Sequence, residues 1–208
     1  AASFVNAQHS ESRKIVAPHE VIEGDYVAAG ETVEISGVVM GDVYVLGGQV
    51  LVNGTIEGDL LVVGGFVSIS GIVDQNVRVV GGQVIISGNV GRNTTAGAMN
   101  IEITREAKLR GSLLAGGVNI IVQGLVDKPI RVAGKNLTIT NTVNGNVEAA
   151  VENIRVGSGA KILGDFTYWS NRDASVGEGV VIKGAIIKKA SQGVGGQIER
   201  VTHPVTKF

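Results

Sequence analysis

The stretch that decides the fold runs from Gly41 to Asp74 and reads GDVYVLGGQVLVNGTIE followed by GDLLVVGGFVSISGIVD. Its two halves are copies of one 17-residue unit, in which apolar residues coincide at the third, fifth, tenth, twelfth and sixteenth places. Apolar residues two apart indicate β-strands, because side chains along a strand alternate between its two sides. A fixed period of this size predicts a stacked repeat architecture.

The same register extends outward from this pair and covers residues 24–183 in nine copies. Two copies carry two extra residues in the same turn, at EAKL (106–109) and GAKI (159–162). Three short strands with Gly-rich corners would form one coil, and successive coils would pair in parallel. The sequence therefore predicts an all-β, three-faced parallel β-helix of about nine coils, each 17–20 residues long.

The spacing of the inward places also bears on the handedness of the helix. These places are two, five, two, four and four residues apart, which does not fit the six-residue period of left-handed hexapeptide β-helices. Because parallel crossovers are otherwise almost always right-handed, we expect a right-handed coil.

The chain divides into three parts on this pattern. Residues 1–23 are expected to pack on or cap the first coils, residues 24–183 form the repeat, and residues 184–208 are a C-terminal extension that would lead to a membrane region beyond this chain. The start AASF fits a position just after a signal-peptide cleavage site, and it equally fits a trimmed start.

Composition narrows the functional classes. The 31 Gly and 3 Pro, with 4% aromatic residues, are typical of short strands joined by tight turns. The balance of 18 basic and 19 acidic residues argues against a general nucleic-acid or membrane-surface binder, which needs clustered cations. The chain has no cysteine, which excludes disulfides and thiolate chemistry. No apolar run reaches the roughly 18 to 20 residues of a transmembrane helix.

One outward column of the predicted coils is rich in side-chain amides. Amides stacked at the strand spacing can hydrogen-bond along the axis of the coil, which stabilises parallel stacks. A glycan-binding strip is the alternative, since amides also suit sugar hydroxyls. The predicted ladder comprises Gln49, Gln83, Asn100, Asn119, Asn136 and Asn153.

Apolar residues also recur at outward places, where they suggest a contact surface. The N-terminal segment, through Ile15 and Val16, is the favoured occupant, and another protein chain is the alternative. The predicted contact surface comprises Tyr44, Leu51, Leu61, Ile85, Leu114 and Ile121.

The aromatic residues concentrate in the ninth copy of the unit. Phe166, Tyr168 and Trp169 are interpreted as a cap that closes the lower end of the core, with a partner anchor as the alternative.

No constellation of residues indicates a catalytic, cofactor or metal site. The recurring Asp25, Asp42, Asp59 and Asp165 follow Gly at a corner, where Asp bonds neighbouring backbone in turns; a weak cation site there stays open. His9, His19 and His203 lie outside the repeat and are too few for a metal site.

The recurring pattern G-D-V-x-V-x-G-G-x-V-x-V-x-G-x-I/V, over residues 24–183, resembles the bactofilin or polymer-forming cytoskeletal family. The run DFTYWS at 165–170, after GAKILG, is similar to the terminal coil of envelope-located members that carry a signal peptide and membrane helices. The resemblance implies a right-handed β-helix that associates end to end into filaments, without a nucleotide cofactor and without enzyme activity.

The sequence thus predicts a non-catalytic structural or scaffold β-helix, secreted or on the envelope of a prokaryotic cell, with the cytoplasm as the alternative. Its expected partner is itself, end to end or laterally, with cell-wall glycan as a further candidate. It would bind no nucleic acid and would reach a membrane only through segments outside this chain. The alternative functions are a glycan-binding or glycan-processing envelope β-helix and a sensory domain of a membrane protein.

Overall fold

The computed structural model describes residues 12–190 and the backbone of residues 198–199, and its core is a stack of about ten coils. All regular structure in these residues is β-strand. The parallel β-helix predicted from the repeat is confirmed. Its right-handed sense stays a prediction.

Each central coil contributes one long strand of ten residues to a 13-stranded sheet. These strands are β3 (Tyr26–Ile35), β5 (Val43–Val52), β7 (Leu60–Ile69), β9 (Val77–Ile86), β11 (Thr94–Ile103), β13 (Leu113–Val122), β15 (Ile130–Ile139) and β17 (Val147–Val156). Each long strand pairs with those of the coils before and after it, and equivalent places of the repeat lie side by side. Val43 thus lies beside Leu60, and Leu60 lies beside Val77.

Each coil also contributes a strand of two residues to a second parallel sheet of ten strands. These strands are β2 (Val21–Ile22), β4 (Val38–Val39), β6 (Thr55–Ile56), β8 (Ile72–Val73), β10 (Asn89–Val90), β12 (Lys108–Leu109), β14 (Leu125–Val126), β16 (Thr142–Val143), β18 (Lys161–Ile162) and β21 (Val181–Ile182).

The long strand bends at the seventh and eighth places of the unit, which are a Gly pair in β5, β7 and β9, so it covers two faces of the coil. In β5 the side chains of Val43 and Val45 are buried, and after the bend those of Val50 and Val52 are buried. The inward side therefore changes from odd to even residues across Gly47 and Gly48. The three predicted strands per coil are thus two, because the first two continue through the corner as one hydrogen-bonded strand.

The core is a continuous column of Val, Ile and Leu side chains along the axis. The inward residues of the central coils are at most 5% exposed, and the predicted inward places of all the repeats from Gly41 to Ile162 are buried. Burial of an aliphatic side chain contributes roughly 1.5 to 3 kcal/mol, so every coil gains from its two neighbours.

One column of glycines is required by the close approach of adjacent coils. A Cβ on Gly54 would lie 1.9 Å from the carbonyl oxygen of Gly37, and the same distance separates Gly71 from Gly54 and Gly88 from Gly71. A methyl group at these corners would force neighbouring coils apart. The recurring N/S-G before the short strand is therefore a packing requirement.

The described part of the N-terminal segment continues the coil. Strand β1 (Arg13–Val16) pairs in parallel with the second half of β3, and β2 pairs with β4. Val16 takes an inward place and is 1% exposed, whereas Ile15 is 48% exposed. Residues 12–22 therefore lengthen the rod at its end and do not cover its outward apolar residues. The first part of the segment, residues 1–11, lies outside the described residues.

The repeat also extends past residue 183. Strand β19 (Phe166–Trp169) pairs with β17 on one side and with β22 (Ile186–Lys189) on the other. Strand β20 (Ser175–Val176) pairs with the end of β17. Strand β23 (Ile198–Glu199) then runs antiparallel to β22 and pairs with its last two residues. The other residues of the predicted extension beyond 190 lie outside the described residues.

Candidate functional surfaces

The amides predicted to stack form a hydrogen-bonded ladder over four successive coils. The Nδ2 groups of Asn119, Asn136 and Asn153 each donate to the Oδ1 of the asparagine one coil before, at 2.8 Å in every case. The first acceptor is Asn100. In the earlier coils Phe66 lies in register between Gln49 and Gln83, which places a ring without hydrogen-bonding atoms in the column.

The far end of the amide ladder is closed by an arginine from a loop. Arg172 Nη1 donates to Asn153 Oδ1, the last acceptor of the ladder. The loop is held by Ser170, whose hydroxyl donates to the Glu152 carbonyl at 2.9 Å and accepts from the Arg172 backbone N–H. The last Oδ1 of the ladder and the Ser170 hydroxyl are therefore hydrogen-bonded within the protein.

The corner aspartates form a second ladder, between side chain and backbone. The Oδ1 of Asp25 accepts from the Asp42 N–H at 2.8 Å, and the Oδ1 of Asp42 accepts from the Asp59 N–H at 2.7 Å. Asp59 continues the series to Asn76, and Asp165 accepts from Ala185 N–H. Each carboxylate therefore satisfies a backbone donor of the next coil, which is the turn chemistry expected for Asp at this place.

Asp59 is the most strongly stabilised of these carboxylates. Arg78 Nη1 donates to its Oδ2 at 2.7 Å, and the backbone and side chain of Asn76 donate to its Oδ1 at 2.9 Å. The Arg78 hydrogen bond is the largest cause that lowers the pKa of Asp59 to about 2. Asp42, by contrast, accepts from the Tyr44 phenol and raises the pKa of Tyr44.

No group of three or more His, Cys, Asp or Glu side chains in the described part of the chain is placed to hold a metal ion. His9 and His203 lie outside that part.

The predicted contact surface divides between two faces of the rod. Tyr44, Leu61 and Leu114 project from the first half of the long strand and are 40–53% exposed. Leu51, Ile85 and Ile121 belong to the second half of the strand, beyond the bend, and are only partly exposed. The bend thus separates the predicted set into two groups that cannot serve one flat partner.

Sequence reasoning missed a further outward column next to Tyr44 and Leu61. Leu46, Val63 and Val80 occupy the sixth place of successive coils and are 45–59% exposed. The signal was available, because the sixth place lies two residues after the fourth and so points to the same side of the strand.

We call the two outward columns of the first half-strand the apolar side. The fourth-place column is Val27, Tyr44, Leu61, Arg78, Thr95, Leu114, Arg131 and Glu148. The sixth-place column is Ala29, Leu46, Val63, Val80, Gly97, Gly116, Ala133 and Ala150.

The aromatic residues of the ninth repeat lie on opposite sides of β19. Phe166 and Tyr168 are buried in the core, with ring centroids 5.1 Å apart. Trp169 follows Tyr168 directly and therefore points outward, where Lys189 Nζ lies 4.8 Å from the ring centroid. Since β22 covers β19, the buried pair lies one coil before the end of the described stack, and Trp169 is not part of it.

An open cleft of about 880 Å³ lies beside Trp169. Small residues, Gly134 and Ala150, line it together with the polar side chains of Glu152, Asn171 and Arg172. Beside the cleft, β19 ends at Trp169 after four residues, whereas the long strands of the coils before it continue for ten. An aromatic ring beside a few polar groups can orient a ligand with both apolar and polar surface.

In the described residues, no helix is long and apolar enough to cross a membrane. Comparison with models of protein families, with characterised proteins and with solved structures found no match to this chain.

Proposed function

We propose that this protein is a non-catalytic structural scaffold, a rigid rod that acts as a building unit by association with copies of itself. The observation that carries the proposal is the unbroken parallel register from β1 to β22, held by side-chain ladders on two of its columns. Coils that are joined by tight corners and repeat one packing pattern make a stiff, quasi-one-dimensional element.

End-to-end association is the mode of assembly that the resemblance to bactofilins supports. A parallel coil that ends in a free strand edge can pair with the same edge or the opposite edge of another copy. The antiparallel strand β23 occupies part of the edge of β22, so assembly at that end would displace it. An envelope location in a prokaryote, which the same resemblance supports, belongs to this proposal.

Electron microscopy of the purified full chain at micromolar concentration tests the proposal. We expect filaments whose subunit repeat is roughly 50 Å, the length of about ten coils at the strand spacing. Ile186→Asp places a carboxylate in the last core layer and should abolish the filaments. Ile187→Asp, on the outward side of the same strand, is the matched control and should retain them. A chain that stays monomeric at all concentrations contradicts the proposal.

Glycan binding is the second candidate, and the cleft beside Trp169 favours it. Sugar rings present apolar faces and polar edges, which suit an aromatic ring with Glu152, Asn171 and Arg172 around it. Trp169 is the only tryptophan in the chain, so its fluorescence reports directly on this cleft.

Titration with soluble cell-wall polysaccharide should shift that fluorescence with saturation. A sedimentation assay should then show that Trp169→Ala loses binding while Tyr44→Ala, a control at an exposed aromatic elsewhere, keeps it. Equal sedimentation of both variants, or no fluorescence change at all, counts against glycan binding.

A further inference from the structure

We infer that the apolar side is a lateral contact with a second copy of this chain, in which the two rods run antiparallel about a two-fold axis parallel to the strands. The inference rests on the proposed scaffold function. It adds to that function a side-by-side contact, made by residues that end-to-end association leaves exposed.

The first observation is a contiguous exposed apolar area on one sheet face. Val27 is 75% exposed, and Leu46, Val80 and Leu114 are each more than half exposed. Val27, Tyr44 and Leu61 are consecutive in the fourth-place column, as Leu46, Val63 and Val80 are in the sixth. Leu114 lies two coils beyond Val80, across Thr95 and Gly97. Large contiguous apolar patches on a soluble surface mark interaction sites, whereas scattered apolar residues do not.

The second observation is that the sixth-place column changes size halfway along the rod. Its first half carries Leu46, Val63 and Val80, and its second half carries Gly97, Gly116 and Ala133. The small residues leave a shallow, almost wholly apolar groove of about 390 Å³, which Leu61 and Leu114 flank. One face thus presents a ridge followed by a depression.

The backbone does not require glycine in this depression. A Cβ on Gly116 would meet no atom within 4 Å, and one on Gly97 would meet only Val80 Cγ2 at 3.9 Å. Neither residue has a positive φ. This contrasts with the corner glycines such as Gly54, where a Cβ would clash at 1.9 Å. The open space is therefore a property of the surface and not a consequence of the coil geometry.

The ridge and the depression are complementary under one symmetry operation. A two-fold axis along the strand direction, between β9 and β11, places each column against itself in reverse order. Leu46 then faces Ala133, Val63 faces Gly116, and Val80 faces Gly97. In the fourth-place column Leu61 faces Leu114. Large side chains thus meet small ones along the sixth-place column, as interdigitation of packed sheets requires.

Two of the three charged residues of the face, Arg131 and Arg78, are accommodated by this arrangement, and the third, Glu148, would face Val27 at the rim of the contact. Arg131 already pairs with Glu148 of its own chain at 3.0 Å, and it would face Tyr44 of the second copy, where a cation can lie over the ring. Arg78 pairs with Asp59 and would face Thr95. With parallel rods, the sixth-place column would face the fourth, so that Val63 would meet Leu61 and Val80 would meet Arg78. Leu46 would likewise meet Tyr44, so large side chains would oppose large ones throughout the first half of the face.

The area of the face fits a reversible dimer. Eight coils at about 4.8 Å and a half-strand of about 13 Å give roughly 500 Å² on each copy, or about 1,000 Å² in all. That is the lower end of the range for specific interfaces. We therefore expect a dimer that forms at micromolar concentrations and dissociates on dilution.

Sedimentation analysis of the full chain over a concentration series tests the contact. The Ile186→Asp background removes association through the β22 end, and the substitutions on the apolar side then distinguish lateral dimers from pairs joined at the β1 end. In that background Val63→Glu should weaken dimerisation by at least about tenfold, because it would bury a carboxylate among apolar side chains. Gly116→Leu fills the depression and should weaken it similarly, with an unchanged thermal transition. Ser68→Glu, outward on the same strand beyond the bend, is the control and should dimerise normally.

Cross-linking tests the direction of the rods, since the chain contains no native cysteine. A short bis-maleimide that spans the roughly 10 Å between packed sheets should link Val63→Cys to Gly116→Cys when the two variants are mixed. Neither variant should link to itself, because copies of the same residue lie three coils apart along the axis.

Each alternative outcome contradicts the inference in a distinct way. A monomer in the Ile186→Asp background, while the unmodified chain forms filaments, overturns the lateral contact and leaves the scaffold function standing. Self-linking of Val63→Cys without linking in the mixture overturns the antiparallel arrangement. Dimers that persist in Ile186→Asp while filaments never form support the contact and contradict end-to-end assembly.

Discussion

Thr94 shows what one polar atom costs inside a dry coil. It occupies an inward place that is Val77 in the coil before and Leu113 in the coil after. Its side chain is fully buried, and in the described structure its Oγ1 has no hydrogen-bond partner. A buried hydroxyl without a partner costs about 1 to 3 kcal/mol.

We therefore expect Thr94→Val to stabilise the protein by about 1 to 2 kcal/mol, since valine matches the shape of threonine and removes the unpaired group. Urea unfolding followed by circular dichroism measures the change. Thr138→Val alters a threonine that points outward and should change stability by no more than about 0.5 kcal/mol. A loss of stability in Thr94→Val would show that the hydroxyl has a partner after all.

Asp59 makes the stability depend on pH in a predictable direction. Because its pKa in the folded protein is about 2, below the ordinary aspartate value of 3.8, the ionised form is favoured by folding. The contribution is complete above the unfolded pKa and is lost as pH falls through about 2. The side chain is 32% exposed, so solvent screening keeps the contribution modest.

Asp59→Asn tests this, because asparagine keeps an oxygen for the Asn76 N–H but loses the charge and, with it, the oxygen that accepts from Arg78. We expect the variant to be less stable than the unmodified protein at pH 7, with the difference shrinking as pH falls from 4 toward 2. Free energies of unfolding in urea at several pH values give the comparison. Asp42→Asn, at the same corner but bonded to Tyr44, is the control. If the two proteins differed in stability as much at pH 2 as at pH 7, the charge of Asp59 would not be the source of the difference.

At the scale of the element, the asparagine ladder is a continuous stabilising feature of the bent strands. Asn136 takes part in two of its bonds, as donor to Asn119 and as acceptor from Asn153. Each such hydrogen bond contributes about 0.5 to 1.5 kcal/mol to stability. Loss of the Asn136 side chain, which removes two of them, should therefore reduce stability more than loss of any other amide in the ladder.

Asn136→Ala should therefore lower stability by about 1 to 2 kcal/mol, as measured by chemical unfolding. Gln83→Ala, at the same place three coils earlier and next to Phe66, is the matched control and should change stability by less than about 0.5 kcal/mol. If both substitutions lowered stability equally, the loss would come from the low strand propensity of alanine and not from the missing amide hydrogen bonds.

The strands also show how far the sequence predicts the fold. The inward places predicted from the alternation of apolar residues are all buried from Gly41 to Ile162, because a strand side that faces the core carries every second residue. Ala107, Val151 and Ala160 are buried as well, at turn and bend positions that the alternation does not identify. It does not predict that β5 continues through Gly47 and Gly48. The apolar pattern shows which side chains face the core. Whether the strand continues through the bend depends on its backbone hydrogen bonds to neighbouring coils, which bend at the same point.

The ends of the rod were harder to predict for a related reason. The first coil, around Val16 and Ile22, begins without the G-D corner and is offset by 19 residues from β3, so the pattern does not align it. The concentration of aromatic residues in the ninth copy groups Trp169 with Phe166 and Tyr168, although strand alternation places Trp169 outward. The depression at Gly97 and Gly116 depends on which coils lie side by side, and it becomes visible only when the register is known.

At the scale of the whole molecule, the coils form a nearly one-dimensional system. Each contacts only the coil before and the coil after, so stability is approximately a sum of coil and interface contributions. The rod can therefore lose or gain a whole coil and stay folded. A deletion that shifts the later residues out of the repeat register is not tolerated. A change of phase moves inward side chains to the surface, since neighbouring residues of a strand point to opposite sides.

Two deletions separate these effects. Removal of residues 111–127 takes out one 17-residue coil and joins Arg110 to Lys128, which keeps every later residue in register; we expect a folded rod with a moderately lower thermal transition. Removal of residues 111–119 takes out fewer residues but joins Arg110 to Ile120 out of phase, and it should unfold or aggregate. Circular dichroism melting and size-exclusion chromatography compare them. If the shorter deletion were the more stable, stability would follow chain length and not coil register, and the one-dimensional description would be wrong.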